Sequence, residues 1–510
     1  MSTLSENNKR IAKNTVALYV RMCIMTAISL FTSRVILNTL GVDDYGIYNV
    51  VGGLVILFSI ISSPISSSFQ RYLTFELGTG NKERLKLVFS TSISIQLLLS
   101  LIIVFLCETV GLWFLNYKMS IPEGRLGAAN FVLQCSLLNF VFGMLSSPYN
   151  AVIIAHERMN IYAYFSILEA LLKLGIVYLV FISPFDKLKI YASLLLAVSA
   201  LMQLIYILYC RKNFEESKFR IKPDKSLFKE MLGFAGWSFF GNTAWMLNSQ
   251  GVNLLINVFF GVKINAVRAI THSVETAVNQ FMNGFTTAIN PQITKSYSSG
   301  NKEYMFELIS RGSKFSYIIL YFILVPLILE TDTILSLWLV EVPENTVLFV
   351  RLAIFASSIT ILGSSMLTGI LATGEIRNYQ IVNSLITCSV FFFTFIAYKL
   401  GAPAFITYVI FIIVYFCLVF VKLYYLRRLL HFPVRNYVFR VLCPLIVFSF
   451  ISFLVPGAIT FIFPANFLRL ILITLLSCIW TFVTMYVFAL NSSERKLVVT
   501  LIKNKLKIAK

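Results

Sequence analysis

The sequence predicts an all-α membrane protein of about 14 transmembrane helices, built as two parallel-repeat six-helix lobes plus two extra C-terminal helices. Three observations predict it. The first is composition: of 510 residues, 58% are hydrophobic and 13% charged, against about 25% charged in a soluble domain. No globular core hides that much apolar surface. The second is continuity. The apolar stretches run unbroken for about 20 residues instead of alternating, the pattern of membrane helices and not of a β-barrel. The third is an internal repeat with a period of six spans.

Fourteen spans are expected to start near Thr15, Tyr45, Leu87, Leu126, Tyr162, Ile190, Leu232, Ala266, Phe315, Val347, Tyr379, Phe405, Val438 and Phe467. The connections are short; the longest, from Arg211 to Lys229, is too small for a domain. The polar start through Lys13 and a first apolar run with no Ala-x-Ala-like cleavage site read as an uncleaved first span. With the N-terminus inside and strict alternation, 31 of the 43 Lys and Arg fall on inside segments and 7 on outside loops. That excess is what the positive-inside rule requires, so both termini are expected in the cytoplasm. The net charge of +20 is accounted for in this way, and no nucleic-acid partner is expected. The eight cysteines include no Cys-x-x-Cys and read as small apolar residues.

The repeat is carried by Gly80–Glu83 and Gly300–Glu303, the same four letters 220 positions apart. At that offset Gly41-Val42 pairs with Gly261-Val262, Thr74 with Thr294 and Ser90 with Ser310. Near it, Glu157 pairs with Glu375 and Asn160 with Asn378. Six spans separate the copies. An even number preserves orientation, giving a parallel repeat about an axis along the membrane normal, with a substrate site expected between the halves. The expected division is 1–215, 216–432 and 433–510.

Charge within a span is costly and marks a candidate site. In the eighth span Arg268, His272, Glu275, Asn279 and Asn283 follow spacings of four, three, four and four, which places them on one helical face. In the seventh, Asn242, Gln250, Asn253 and Asn257 are read as a second shared face. Arg268 is either a cavity cation or an outer-interface residue whose head snorkels. His272 and Glu275 are either a structural pair or an ion-coupling site, since a histidine titrates near neutrality. Arg21 and Arg34 of the first span lie roughly on opposite sides. Glu169 and Lys173, four apart in the fifth span, read as a self-satisfied ion pair. The chain has no P-loop, no His-Glu-x-x-His, no nucleophile elbow and no selectivity-filter motif. It is not expected to be an enzyme or a pore.

The segments SRVILNTLGVDDYGIYNVV, FELGTGNKERLK, IIAHERMNIYAY and AINPQITKSYSSGNKE resemble the Wzx-type polysaccharide flippases of the multidrug/oligosaccharidyl-lipid/polysaccharide exporter superfamily. The shared features are Arg34 before the first outer loop, Leu40-Gly41 and Tyr45-Gly46, Glu157 in the loop after the fourth span, and Pro291 at the end of the eighth. The resemblance implies a V-shaped, two-lobe transporter in the bacterial cytoplasmic membrane. It implies movement of undecaprenyl-diphosphate-linked oligosaccharide to the outer leaflet by alternating access, for O-antigen or capsule synthesis. Arg34 and Arg268 are then the candidates for headgroup contact, with Asn242, Gln250, Asn253, Asn257, Asn279 and Asn283 around them. His272 and Glu275 are the candidates for coupling. No cofactor is expected beyond a coupling ion, H+ or Na+, and no metal. Partners would be the lipid-linked substrate, membrane lipids, a polysaccharide polymerase and glycosyltransferases. The first-span proline and acid of proton-coupled drug exporters are missing, which weakens the alternative of an ion-coupled multidrug or metabolite antiporter.

Overall fold

The computed structural model describes residues 14–25, 58–117, 124–218, 224–339, 342–492 and 494–495, with position 121 and single positions between 28 and 55. All regular structure among them is helical. Ten of the described helices are long and apolar enough to cross a membrane, beginning with Lys82–Tyr117 and ending with Phe467–Ala489. The Ser59–Thr79 helix precedes them, and Asn14–Met25 is a shorter apolar helix. Helical residues Lys225–Ser298 form two segments, 225–260 and 262–298, parted at Gly261 with φ 77° and ψ −171°. These two segments are the expected seventh and eighth spans. Pro291 lies inside the second of them, and the helix continues to Ser298.

The repeated Gly-Asn-Lys-Glu is punctuation. Gly80, φ 76°, closes the second span in the left-handed region, its N–H bonding to Glu76 O. Asn81 then opens the next helix, its side chain accepting from the Arg84 N–H. Gly300, φ 79°, ends the eighth span just before Lys302 opens the ninth. Glycine takes that backbone conformation without a Cβ penalty, and asparagine is a preferred N-cap.

Packing groups the chain into two compact units, Met1–Thr243 with Thr287–Asn301, and Ala244–Thr286 with Lys302–Lys510. The repeat is visible in which spans pack. In the first unit the fourth packs on the sixth, the fifth on the sixth and the third on the fourth. In the second the tenth packs on the twelfth, the eleventh on the twelfth and the ninth on the tenth. The thirteenth and fourteenth pack on each other and on the ninth. Packing cuts the chain at Thr243, past the 215/216 boundary that the repeat suggests. The reason lies in side chains. Phe234 meets Tyr72 edge to face at 5.9 Å, Ser68 donates to Met231 O, and Ala288 sits in a cluster with Leu18 and Met159.

The first unit also contains a clasp. Glu157, in the turn after the Leu126–Ala155 helix, has a fully buried side chain. Lys295 Nζ lies 2.8 Å from its carboxylate, Gln292 donates to the other oxygen, and Asn14 donates to its backbone carbonyl. Nearby, Gly78 comes so close to the 287–301 segment that a Cβ there would sit 2.7 Å from Lys295 O. All eight cysteines are free.

Candidate functional site

The site grows from the hairpin at Gly261. Its positive φ is a conformation that side-chain-bearing residues rarely adopt, and it turns the eighth span back along the seventh. Asn253 and Arg268, nearly equidistant from the turn, therefore meet: Arg268 Nε donates to Asn253 Oδ1. Asn253 in turn donates to Gln250 Oε1 at 3.2 Å. From the other side the Arg268 guanidinium donates to Tyr408 OH at 3.1 Å and lies 5.6 Å and 5.9 Å from the ring centres of Tyr408 and Phe411. Arg268 is only 5% exposed. The desolvation of that charge is offset by two charge-assisted hydrogen bonds and two ring faces, worth on the order of 1–3 kcal/mol per hydrogen bond and 0.5–2 per ring. A guanidinium has five N–H groups. Two are engaged among the described residues, so donors remain for a ligand.

Arg268 forms one wall of a cavity of about 440 Å³ that lies wholly within the second unit. His272, Glu275, Asn279 and Asn283 line it from the same helix, so the predicted face is a real one. Thr276 Oγ1 and His272 Nδ1 are 3.4 Å apart. Glu275 has no hydrogen bond or ion pair among the described residues; its carboxyl lies in the field of Arg268, two helical turns or about 10 Å away along the axis. The opposite wall is aromatic, with Tyr408, Phe411 and Tyr415 from the twelfth span and Trp245 from the seventh. Asn248, 3% exposed, lines the same space with an Oδ1 that no donor among the described residues reaches. A buried acceptor without a partner is expected to be completed by water or ligand.

The other expected residues fall differently. Gln250 and Asn253 reach the cavity only through Arg268. Asn242 is exposed and belongs to the first unit, and Asn257 is exposed outside the cavity lining. Arg34 lies outside the described residues. Tyr408, Phe411 and Tyr415 escaped the sequence reading. Their spacing of three and four was visible, but an aromatic stripe at helical spacing is usually core. Elsewhere Lys173 Nζ is 2.6 Å from Glu169, the expected self-satisfied pair. Arg351 donates to Ile328 O at 2.9 Å and to Asp332 at 3.2 Å.

Residues 11–297 match the family described as "Polysaccharide biosynthesis protein", more than half of the chain. The chain belongs to that family. A curated relative, the "Uncharacterized membrane protein EpsK" of Bacillus subtilis (strain 168), is 21% identical over 278 residues, covering 54% of this chain and 55% of the relative. The match thus spans about half the length of that relative. Among solved structures, MATE in the bent conformation superposes with a TM-score of 0.71 at 14% identity, over 83% of this chain and 95% of that one. An outward-facing multidrug resistance MATE family transporter of the MOP superfamily gives 0.69 at 13%, covering 84% and 97%. A MOP superfamily transporter from Pyrococcus furiosus, described by a reversed polarity of its binding pocket, gives 0.64 at 13%, covering 83% and 96%. These likenesses establish the MATE fold. Fold and family together give a membrane protein of the MATE fold that belongs to a polysaccharide biosynthesis family.

Proposed function

We propose that this chain is a flippase that carries undecaprenyl-diphosphate-linked oligosaccharide from the cytoplasmic to the outer leaflet of the bacterial cytoplasmic membrane, with both termini in the cytoplasm. The observation that carries this reading is Arg268: a buried guanidinium with spare donors, facing a cavity of about 440 Å³ walled by amides on one side and aromatic rings on the other. A diphosphate in a low-dielectric space needs charge-assisted hydrogen bonds, amides suit sugar hydroxyls, and aromatic faces suit the apolar faces of sugar rings. Asn279 and Asn283 extend the polar wall, and Arg34 is the second headgroup candidate. Glu275 and His272 are the coupling groups for H+ or Na+. The polymerase and glycosyltransferases of the same polysaccharide would be its working partners.

The test is the leaflet location of lipid-linked oligosaccharide in cells lacking the chain. Accumulation on the cytoplasmic face, rescued by the wild-type chain and not by Arg268→Ala, supports the reading. Equal outer-leaflet glycan with and without the chain overturns it. One observation favours a second reading as an ion-coupled antiporter: Glu275 stands in the cavity without a partner among the described residues. Under that reading, deletion alters drug or metabolite sensitivity and leaves polysaccharide intact.

A further inference from the structure

A second cavity, of about 350 Å³, lies between the start of the ninth span, the start of the thirteenth and the segment after the fourteenth. All of it is within the second unit. Six charged side chains line it, three acidic and three basic, and their pairing decides what it can hold. Lys314 and Glu494, each with a 4% exposed side chain, pair at 2.9 Å. Arg311 pairs with Glu307 at 2.6 Å. Arg440 and Glu303 remain, both exposed and without a hydrogen bond or ion pair among the described residues. The cavity therefore offers one unpaired cation and one unpaired anion. A simple anion would be attracted by Arg440 and repelled by Glu303; a simple cation would meet the reverse. A ligand carrying both charges satisfies both groups.

Depth identifies its source. The thirteenth span, Val434–Ile462, is continuous from Arg440 to Ile462, about 33 Å at the helical rise, against a hydrocarbon core of about 30 Å. Arg440 thus stands at least one hydrocarbon thickness from the far end of its span, on the polar flank that precedes the apolar run. Glu303, near the start of Lys302–Leu329, is about 39 Å from the far end of its helix. The polar flank from Lys302 to Lys314 keeps Glu303 on the water side of the apolar run, in the headgroup region that an ammonium occupies. The backbone opens into a π-turn over Val438–Leu442, with Arg440 at its centre; such turns recur at functional sites. Phe432, which lines the same cavity, packs at 5.2 Å from Phe306 and 5.7 Å from Tyr437, an apolar floor for the carbons that join phosphate to ammonium. On the same helix Ile446, Phe450 and Leu454 are exposed at 56%, 74% and 65%, an apolar stripe leading into the bilayer for acyl chains.

We propose that this cavity binds the phosphoethanolamine-type zwitterionic headgroup of a membrane lipid, with Arg440 on the phosphodiester and Glu303 on the ammonium. Basic pockets between membrane helices are known to take lipid headgroups; the unpaired acid makes this one selective for a zwitterion.

The test labels the full-length chain in detergent with a photoactivatable phosphatidylethanolamine and maps the labelled peptides. Label is expected on 303–314 or 432–441. Phosphatidylethanolamine should compete for it about tenfold better than phosphatidylglycerol. Arg440→Gln should lower labelling about fivefold, Arg440→Lys should keep most of it, and Glu303→Gln should erase the preference between the two lipids. Both residues are exposed, and a monodisperse elution profile confirms that each variant is folded. Label elsewhere, or equal label in Arg440→Gln, overturns the site. Equal competition by phosphatidylglycerol in the wild type overturns its zwitterionic character. Equal competition by soluble phosphoethanolamine overturns the lipid as its source.

Discussion

Glu157 in the first unit and Arg268 in the second are both buried charges held by amides and by side chains from distant spans. They differ in what is left over. Glu157 has Lys295 at 2.8 Å on one oxygen and Gln292 on the other, and its surroundings close without a ligand. Arg268 has Asn253 and Tyr408, spare N–H groups, and in the same cavity lining Asn248, whose buried oxygen has no donor among the described residues. The first arrangement is complete and serves the fold. The second is complete only when something else enters. Burial alone does not separate a structural charge from a working one; the count of unmatched donors and acceptors does.

The comparison can be broken in several places. The largest effect is expected at Arg268. Its replacement by alanine should lower surface polysaccharide in a complemented deletion strain by tenfold or more, and lysine should restore part of it, because a point charge keeps the attraction and loses the guanidinium fork. Membrane abundance of the variant, measured alongside by immunoblot, should stay near that of the wild type. The clasp should behave in the opposite way. Lys295→Met takes the cation away from the buried Glu157 carboxylate, while Gln292 still donates to it, and should cost about 3 kcal/mol, read as a lower thermal unfolding midpoint in detergent. The double change Glu157→Gln with Lys295→Met should cost less than Lys295→Met alone. If Arg268→Ala destabilises as much as Lys295→Met, the two charges are of one kind and the contrast fails.

Smaller effects sharpen it. Gly78→Ala forces a Cβ to 2.7 Å from Lys295 O and should cost about 1–3 kcal/mol by the same thermal assay. Glu275→Gln should flatten the pH dependence of export several-fold, while Glu169→Gln, whose partner Lys173 lies 2.6 Å away on the same helix, should leave that profile unmoved. The smallest effect concerns Asp186, which caps the Lys187–Asn213 helix and takes a 2.8 Å bond from Arg125. Burial pushes its carboxyl up, but the Arg125 hydrogen bond and the backbone N–H groups of Lys189 and Leu188 outweigh it and hold the group below its ordinary value. A lowered folded value means stability that is present above the unfolded pKa and lost as pH falls through the folded one. Arg125 and Asp186 are 30% and 28% exposed, so screening limits the loss to under about 1 kcal/mol. Unfolding midpoints taken down to about pH 3 should fall less steeply for Asp186→Asn than for the wild type.

Much of the eighth span was legible because a helix has a fixed period: five polar residues at spacings of three and four must share a face, and they do. The seventh-span face was legible only in part. Gln250 and Asn253 reach Arg268, but Asn242 and Asn257 stay exposed outside the cavity, because the partner of each residue is set by its distance from Gly261 and not by the period alone. The repeat misled at one point. Sequence pairs Glu157 with Glu375, yet the left-handed position is held by Glu157 in one copy, φ 58°, and by Gly374 in the other, φ 81°. Glu157 is buried and clasped; Glu375 is exposed.

By itself the sequence determined that this chain lives in a membrane, that its spans are helices, that they fall into two copies, and which helical face carries charge. These are one-dimensional properties, set by hydropathy and period. Tertiary structure decided which charges are satisfied. Lys295 reaches Glu157 across 138 positions and Tyr408 reaches Arg268 across 140. Hydrogen-bond completion depends on such distant partners, and no local pattern encodes them.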